Sequence, residues 1–496
     1  MRTPPTAMTS PRTIAGLPQR AARVAGALGL LGLLLGGPTR AEAQGSKGSA
    51  GTAAGAPGPT QAPAAAAPPA RLIKPLWKRE GPAGSGFGSC VALGPTLRSG
   101  DLPVVSISAF GGPAAGVDAL AGRTGQLLQR FSPEADVLEF GFALAGAEAA
   151  ADGGEAGLWI GIRGALVAGQ RLGEVQRRSL RDGRMLSRWA APQGANFFGA
   201  RVVLLGDLDA DGVLDLAVAA PGEDRARGAV YLLSGHDGKQ LERWAGARHG
   251  DRFGSALLAL GDQNGDGSPD LAIGAPGDSG RGLGFGSVRI YSGATRRLLR
   301  SFFGDQAEAA FGDSLALCAD RDRDGRPDLL VAEPSLNLGD AVDVGRVRAF
   351  SISSGAELGA WSGSSAGDFY GQGLCGGFDW NGDGQPDFAV GAPWGDRGAP
   401  DGACGRVEIR SGSSGELLGL LERPPGARLF GFSLCASLDP VCLGVGAPGR
   451  LPLQRSADGA DGLPPEPEAP KPPSNSGAKD PLAPSGWAAL YRSSAP

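Results

Sequence analysis

Short apolar runs recur along the chain, separated by polar, turn-forming stretches, and their order repeats. An aromatic-Gly pair opens each unit, followed by a segment such as Val202-Val203-Leu204-Leu205 and then an aspartate-rich loop. A second apolar run closes on Ala-Pro or its equivalent: Leu216 to Pro221, Leu271 to Pro276, Leu329 to Pro334, Phe388 to Pro393 and Leu443 to Pro448. A variable loop leads to a third run that alternates apolar and polar residues, as in Gly228-Ala-Val-Tyr-Leu-Leu and Gly286-Ser-Val-Arg-Ile-Tyr. A fourth run ends in an aromatic residue: Phe131, Trp189, Trp244, Phe302 or Trp361. Each unit therefore predicts four short strands separated by turns.

The pairs Phe87-Gly88, Phe140-Gly141, Phe198-Gly199, Phe253-Gly254, Phe311-Gly312, Tyr370-Gly371 and Phe430-Gly431 stand 53 to 60 residues apart. Four-stranded units at such a period are the signature of propeller blades. The fold expected is all-β, a seven-bladed β-propeller over residues 71–496. The last unit ends on its third strand near Arg492, and Leu72-Ile-Lys-Pro-Leu-Trp77 resembles an unmatched fourth strand. Residues 72–77 are therefore expected to complete the last blade and remove an open edge.

Composition narrows the setting. A quarter of the 496 residues are Gly or Pro (85 and 39), without a Gly-X-Y period, so collagen is excluded. The 42% hydrophobic content supports a large core. A net charge of -4 argues against a nucleic-acid partner, and two histidines argue against a multi-His metal site or His-based catalysis. Arg20 and Arg23, the apolar run Val24 to Leu35 and Ala41-Glu42-Ala43 read as a signal peptide over 1–43. That run is too short to span a membrane, so a secreted or cell-envelope protein with no membrane span is expected, as a monomer. Residues 44–70, rich in Ala, Pro and Gly, read as a disordered linker, and 450–485 as a disordered loop insert. The six cysteines match no zinc spacing. Cys435 and Cys442 flank an Asp439-Pro440 turn and either face each other across a hairpin or stay as buried thiols.

Four units carry the same nine-residue loop. Its ligand positions 1, 3, 5 and 9 are Asp207, Asp209, Asp211 and Asp215; Asp262, Asn264, Asp266 and Asp270; Asp320, Asp322, Asp324 and Asp328; and Asp379, Asn381, Asp383 and Asp387. Gly212, Gly267, Gly325 and Gly384 at position 6 permit a sharp turn, and the carbonyls of Val213, Ser268, Arg326 and Gln385 at position 7 add a ligand. So many oxygens in an irregular array suit Ca2+ better than Mg2+. An EF-hand is excluded, because position 12 holds Val218, Ile273, Val331 and Val390 instead of Glu. The first unit has only Asp101 near the right place, the second has Glu148 and Asp152 without the spacing, and the seventh has lost the loop. About four calcium sites are expected.

With the Phe-Gly pairs, these aspartate loops and Gly-Ala-Pro at 274–276, 391–393 and 446–448, the chain resembles the FG-GAP repeats of the integrin alpha-subunit propeller. Repeats three to six match well; one, two and seven are degenerate. The resemblance implies a seven-bladed propeller with calcium in the loops between first and second strands. Such repeats also occur in secreted bacterial proteins and beside unrelated enzyme domains, so they speak to fold more than to function.

Successive turns of an antiparallel blade alternate between the faces of the disc. The aspartate loops therefore share one face with the turns between third and fourth strands, while the longer loops between second and third strands lie on the other. Binding residues favour such loops on a rigid scaffold. Arg281, Phe285, Trp394, Asp396 and Arg397 are the candidates for a protein or glycan ligand. A structural envelope component and a carboxylate-based glycan-active enzyme remain as alternatives. No Ser-His-Asp arrangement, phosphate loop or sialidase box is legible, so no catalytic residue is assigned.

Overall fold

The computed structural model describes residues 72–96, 101–109, 115–134, 137–147, 155–167, 169–397, 403–449 and 485–493. The expected signal peptide, the 44–70 linker and all but the last residue of the 450–485 insert lie outside them.

Seven four-stranded antiparallel sheets stand in a ring. Blade 1 runs Val91–Leu93, Val105–Ala109, Gly116–Leu120 and Leu127–Phe131. Blade 2 runs Leu138–Ala147, Gly157–Gly164, Glu174–Ser179 and Met185–Ala190, with a small hairpin, Leu166–Val167 and Gln170–Arg171, set into its middle loop. Blade 3 is Arg201–Leu204, Leu216–Ala220, Ala229–Leu233 and Gln240–Ala245; blade 4 is Ala256–Gly261, Asp270–Ala275, Ser287–Tyr291 and Leu298–Phe303. Blade 5 is Leu315–Cys318, Asp328–Glu333, Arg346–Phe350 and Glu357–Ser362; blade 6 is Gly373–Phe378, Asp387–Ala392, Arg406–Arg410 and Leu417–Leu421. Blade 7 joins Ser433–Leu438, Val441–Ala447 and Ser485–Arg492 to Trp77–Ala83 as its outer strand. Each inner strand touches the inner strands of its two neighbours, so the ring closes on itself. All seven motif aromatics are at most 3% exposed and pack between the blades.

The motif glycines have a steric cause. At Gly391 a Cβ would sit 2.1 Å from the backbone oxygen of Gly431, and at Gly274 2.0 Å from that of Gly312. The glycine of one blade's Gly-Ala-Pro thus lies against the Phe-Gly glycine of the next, and two backbones meet where a side chain has no room. Outer-strand tryptophans tie neighbours together at the rim. The indole N–H of Trp244 donates to the Arg296 carbonyl of blade 4, and that of Trp361 to the Gly415 carbonyl of blade 6, both at 3.1 Å.

Closure by the N-terminal segment is observed, but shifted along the chain. The outer strand of blade 7 begins at Trp77, paired Trp77↔Leu490 through Ala83↔Ser485. The Trp77 indole donates to the Gly122 carbonyl of blade 1 at 2.7 Å, the same rim bond as at Trp244 and Trp361. Leu72 and Ile73 instead add a parallel fifth strand to blade 6, opposite Leu420 and Leu421. Leu72 and Leu76 are 58% and 47% exposed, so the expectation that residues 72–77 are buried together as one strand is corrected. Pro75, which has no N–H for a ladder, separates the two pairings.

All six cysteines are free and buried. The blade 7 hairpin sets Cys435 opposite Gly444 and Cys442 opposite Ser437, so the two thiols are not directly cross-strand partners.

Candidate metal centres and ligand face

The four aspartate loops connect inner and second strands of blades 3 to 6 and therefore lie side by side on one face. Each is built around its first aspartate. Asp207 accepts the N–H groups of Asp211 (3.0 Å) and Gly212 (2.8 Å); Asp320 those of Asp324 (3.0 Å) and Gly325 (2.7 Å). Asp262 and Asp379 likewise accept from Gly267 and Gly384, each at 2.8 Å. Position 5 accepts the N–H of position 7, as in Val213 to Asp211 at 2.9 Å and Gln385 to Asp383 at 2.8 Å. These short-range bonds wind each loop into a tight turn around its first aspartate.

Position 9 does a different job. Asp215, Asp270, Asp328 and Asp387 are buried at the start of or just before the second strand. Each accepts the N–H of position 2, from Leu208, Gln263, Arg321 and Trp380, at 2.7 to 2.9 Å. Three of them also accept an N–H from the turn between third and fourth strands, at Gly235, Gly293 and Gly412. This aspartate pins the metal loop to its own blade.

The donor set fits a hard cation. Oxygens of Asp207, Asp209 and Asp215 lie within 4.8 Å of one another, as do those of Asp320, Asp322 and Asp328. In the other two loops position 3 is an amide: Asn264 donates to Asp266 at 2.8 Å and Asn381 to Asp383 at 3.0 Å, while each amide oxygen accepts the backbone N–H of position 5, at 2.9 Å and 3.0 Å, and offers a cation its remaining lone pair. Burial, together with the neighbouring Asp322, Asp320 and Asp324 charges, pushes the Asp328 carboxyl up to about 6. Asp215, Asp270 and Asp387 move in the same direction, also chiefly through burial. Asp262 moves down, held by the Gly267 N–H. Carboxylates crowded this way favour a proton or a cation over mutual exposure.

The adjacent loops are also wired to one another. The Arg326 guanidinium of blade 5 donates to the Gln263 carbonyl in the blade 4 loop. Arg321 reaches the Gly412 carbonyl of blade 6 at 2.6 Å.

The five candidate ligand residues lie on the opposite face, but not as one cluster. Arg281 stacks over Phe303 at 4.4 Å, and Phe285 is half-buried beside Gly282. Trp394 packs against Cys404, Leu429 and Phe432. Arg397 stacks on Trp394 at 5.0 Å and donates to the Gly367 carbonyl at 2.5 Å; Asp396 pairs with Arg406 at 3.5 Å. The blade 5 loop stands between the two groups and is stitched to both sides: Asn337 to Gln306 at 2.8 Å, and Gly367 to Val342 at 2.8 Å. The result is a continuous rim of interlocked loops. His236 and His249 occupy a third-to-fourth-strand turn and a blade connection, as the repeat predicts, and His249 Nδ1 lies 2.9 Å from the Asp224 carbonyl. Sequence reasoning missed a polar cluster on the ring's axis, formed by Arg201, Arg252, Asp313 and Gln372. Their offsets from the motif aromatics differ, from one residue before to three after, so no single sequence signal marks the cluster.

Residues 198–233 and 253–291 match the FG-GAP repeat. The chain is similar to Integrin alpha-5 of Xenopus laevis, 30% identical over 227 residues, which is 42% of this chain and 21% of that protein. Integrin alpha-8 of Mus musculus is 35% identical over 195 residues, 34% of this chain and 18% of the relative. Integrin alpha-X of Homo sapiens is 42% identical over 88 residues, 16% and 8% respectively. The matches thus span about a fifth or less of these relatives' length. No helix among the described residues is long and apolar enough to cross a membrane.

Proposed function

We propose that this integrin-alpha-like FG-GAP β-propeller is a secreted, calcium-stabilised binding and adhesion module. Its ligand, a protein or a glycan, docks on the face away from the aspartate loops. The observation that carries the reading is the division of labour between the two faces. One face holds four aligned acidic loops whose backbone is already wound for a cation; the other presents a rim of long loops cross-linked from blade to blade. A cation is the cheaper neutraliser for the clustered carboxylates, since calcium takes six to eight oxygens in irregular geometry. Calcium held there stiffens the ring and so presets the opposite rim, which lowers the ordering cost of binding. The acids of the four loops are thereby accounted for as cation ligands and loop-closing acceptors, and no catalytic step is assigned to them.

The test is to screen the full chain on a glycan array and on a panel of purified extracellular proteins, with calcium and with EDTA. A signal that needs calcium and weakens about tenfold in Trp394→Ala or Arg281→Ala supports the reading. No ligand on either panel, or a signal indifferent to chelation and to both variants, contradicts it.

A further inference from the structure

Because the Phe-Gly pairs open the inner strands, they also gather side chains on the ring's axis, at the end away from the aspartate loops. Arg252 stands one residue before Phe253 in blade 4, Asp313 two after Phe311 in blade 5, Gln372 two after Tyr370 in blade 6, and Arg201 three after Phe198 in blade 3. Asp313 is 1% exposed. Its Oδ2 accepts from Gln372 Nε2 at 3.4 Å, while its buried Oδ1 meets no donor among the described residues. Arg252 and Arg201 are the charges that act on it most strongly, after burial itself, which pushes its carboxyl up. Arg201 is buried, and burial pulls its guanidinium down to about 10. Arg252 is half-buried as a residue, and burial pulls its guanidinium down. Only burial and the Asp313 charge perturb its guanidinium, with no hydrogen bond contributing. Its backbone is held at φ 53°, the left-handed conformation that repeats before each motif aromatic.

We infer that this axial cluster is a binding site for a neutral sugar unit, held by its hydroxyls between the Arg252 guanidinium and Asp313 Oδ1. The chemistry selects the class. An orphaned carboxylate oxygen requires a donor, and an arginine offers donors and no acceptor, so the occupant must both donate and accept. A carboxylate or sulfate ligand would satisfy Arg252 and be repelled by Asp313. An ammonium would satisfy Asp313 and be repelled by two guanidiniums. Adjacent hydroxyls of a pyranose do both and carry no charge. A buried acceptor without a partner is costly, so a ligand that fills it gains affinity by removing that cost. The inference rests on the reading of the propeller as a binding module and gives that module a second site, on the axis and apart from the loop rim.

The experiment uses the calcium-loaded full chain and four probes, glucose, galactose, mannose and N-acetylglucosamine, by ligand-observed NMR followed by calorimetric titration of the best. The result expected is binding of at least one probe, weakened about tenfold or more in Arg252→Met and in Asp313→Ala. Asp313 is buried between arginines, so its variant is read only where its melting curve stays cooperative; Arg252→Met removes no hydrogen bond and carries the test by itself. Binding by none of the four sugars overturns the inference, as does binding unchanged in Arg252→Met or a response confined to sulfated or uronic sugars. If a protein ligand still docks on the loop rim while all neutral sugars fail, the axial site falls and the adhesion reading stands.

Discussion

Removing the closing strand should unseat the ring, and the structure sets the size of the effect. Deleting residues 44–83 takes away Trp77–Ala83 and bares the edge of Ser485–Arg492, including Ala488 and Leu490, which are 2% and 0% exposed. The half-buried Trp77 contributes about 1.5 kcal/mol of apolar burial. Its indole bond to Gly122 and the ladder to Ser485–Arg492 add about 1 kcal/mol for each net hydrogen bond. Arg79, 3.7 Å from the buried Asp118, adds little because its side chain is 34% exposed. The loss is on the order of 5 kcal/mol. A ring spanning residues 72–493 unfolds with an entropy of roughly 0.8 kcal/mol per kelvin, so the melting temperature should fall by about 6 °C. The open edge should also promote association. Deleting 44–70 alone leaves both strands in place and should shift melting by less than about 1 °C. The assay is scanning calorimetry with calcium, paired with light scattering. Equal melting of the two truncations would refute closure through Trp77–Ala83.

Three further outcomes follow from the same geometry. Chelation should matter more at neutral than at acid pH. The folded Asp328 carboxyl is raised from 3.8 to about 6, so in the cation-free protein its stabilising contribution is full below 3.8 and lost as the pH rises through about 6. Calcium needs the ionised carboxylate, so the gap in melting temperature between calcium and EDTA should widen from pH 5 to pH 7; a gap independent of pH counts against cation binding at Asp328. Gly391→Ala should destabilise by about 3 kcal/mol, because the new Cβ lies 2.1 Å from the Gly431 oxygen and the obstacle is backbone. Gly250→Ala, with open space around it but a φ of 87°, should cost only about 1 kcal/mol by the same melts; equal losses would show that the blade-to-blade contact is not the constraint.

The ring was legible because its repeat is written in residues with steric roles. The aromatic of each Phe-Gly pair fills the space between blades, and the glycines of both motifs mark backbone-to-backbone contact. Blades 1, 2 and 7 lack the aspartate loop and still form full sheets, because the blade depends on the alternating strands and not on the loop. The start of the closing strand was misplaced because Leu72, Ile73 and Trp77 look alike in pattern; only the pairing shows that Pro75 sits at the step from blade 6 to blade 7. In the loops the ligand residue types could be read, but not the structural role of position 9, which depends on Gly235, Gly293 and Gly412 some twenty residues away. The axial cluster was invisible for the same reason. Arg252, Asp313 and Gln372 sit in three different blades and meet only when the ring closes.

The central claim is that four loops, and only those four, hold calcium that stabilises the fold. Their ligand positions carry four, three, four and three carboxylates, which repel at short range without a cation. A cation that binds only the folded state adds about 2.7 kcal/mol per site at a hundredfold excess over Kd. Native mass spectrometry of the calcium-equilibrated chain measures the count directly. The account predicts four calcium ions in the wild type, three in Asp324→Ala or Asp211→Ala, and four in Asp101→Ala, with EDTA lowering the melting temperature and calcium restoring it better than magnesium. Seven ions, none, or a melting curve untouched by EDTA would contradict it.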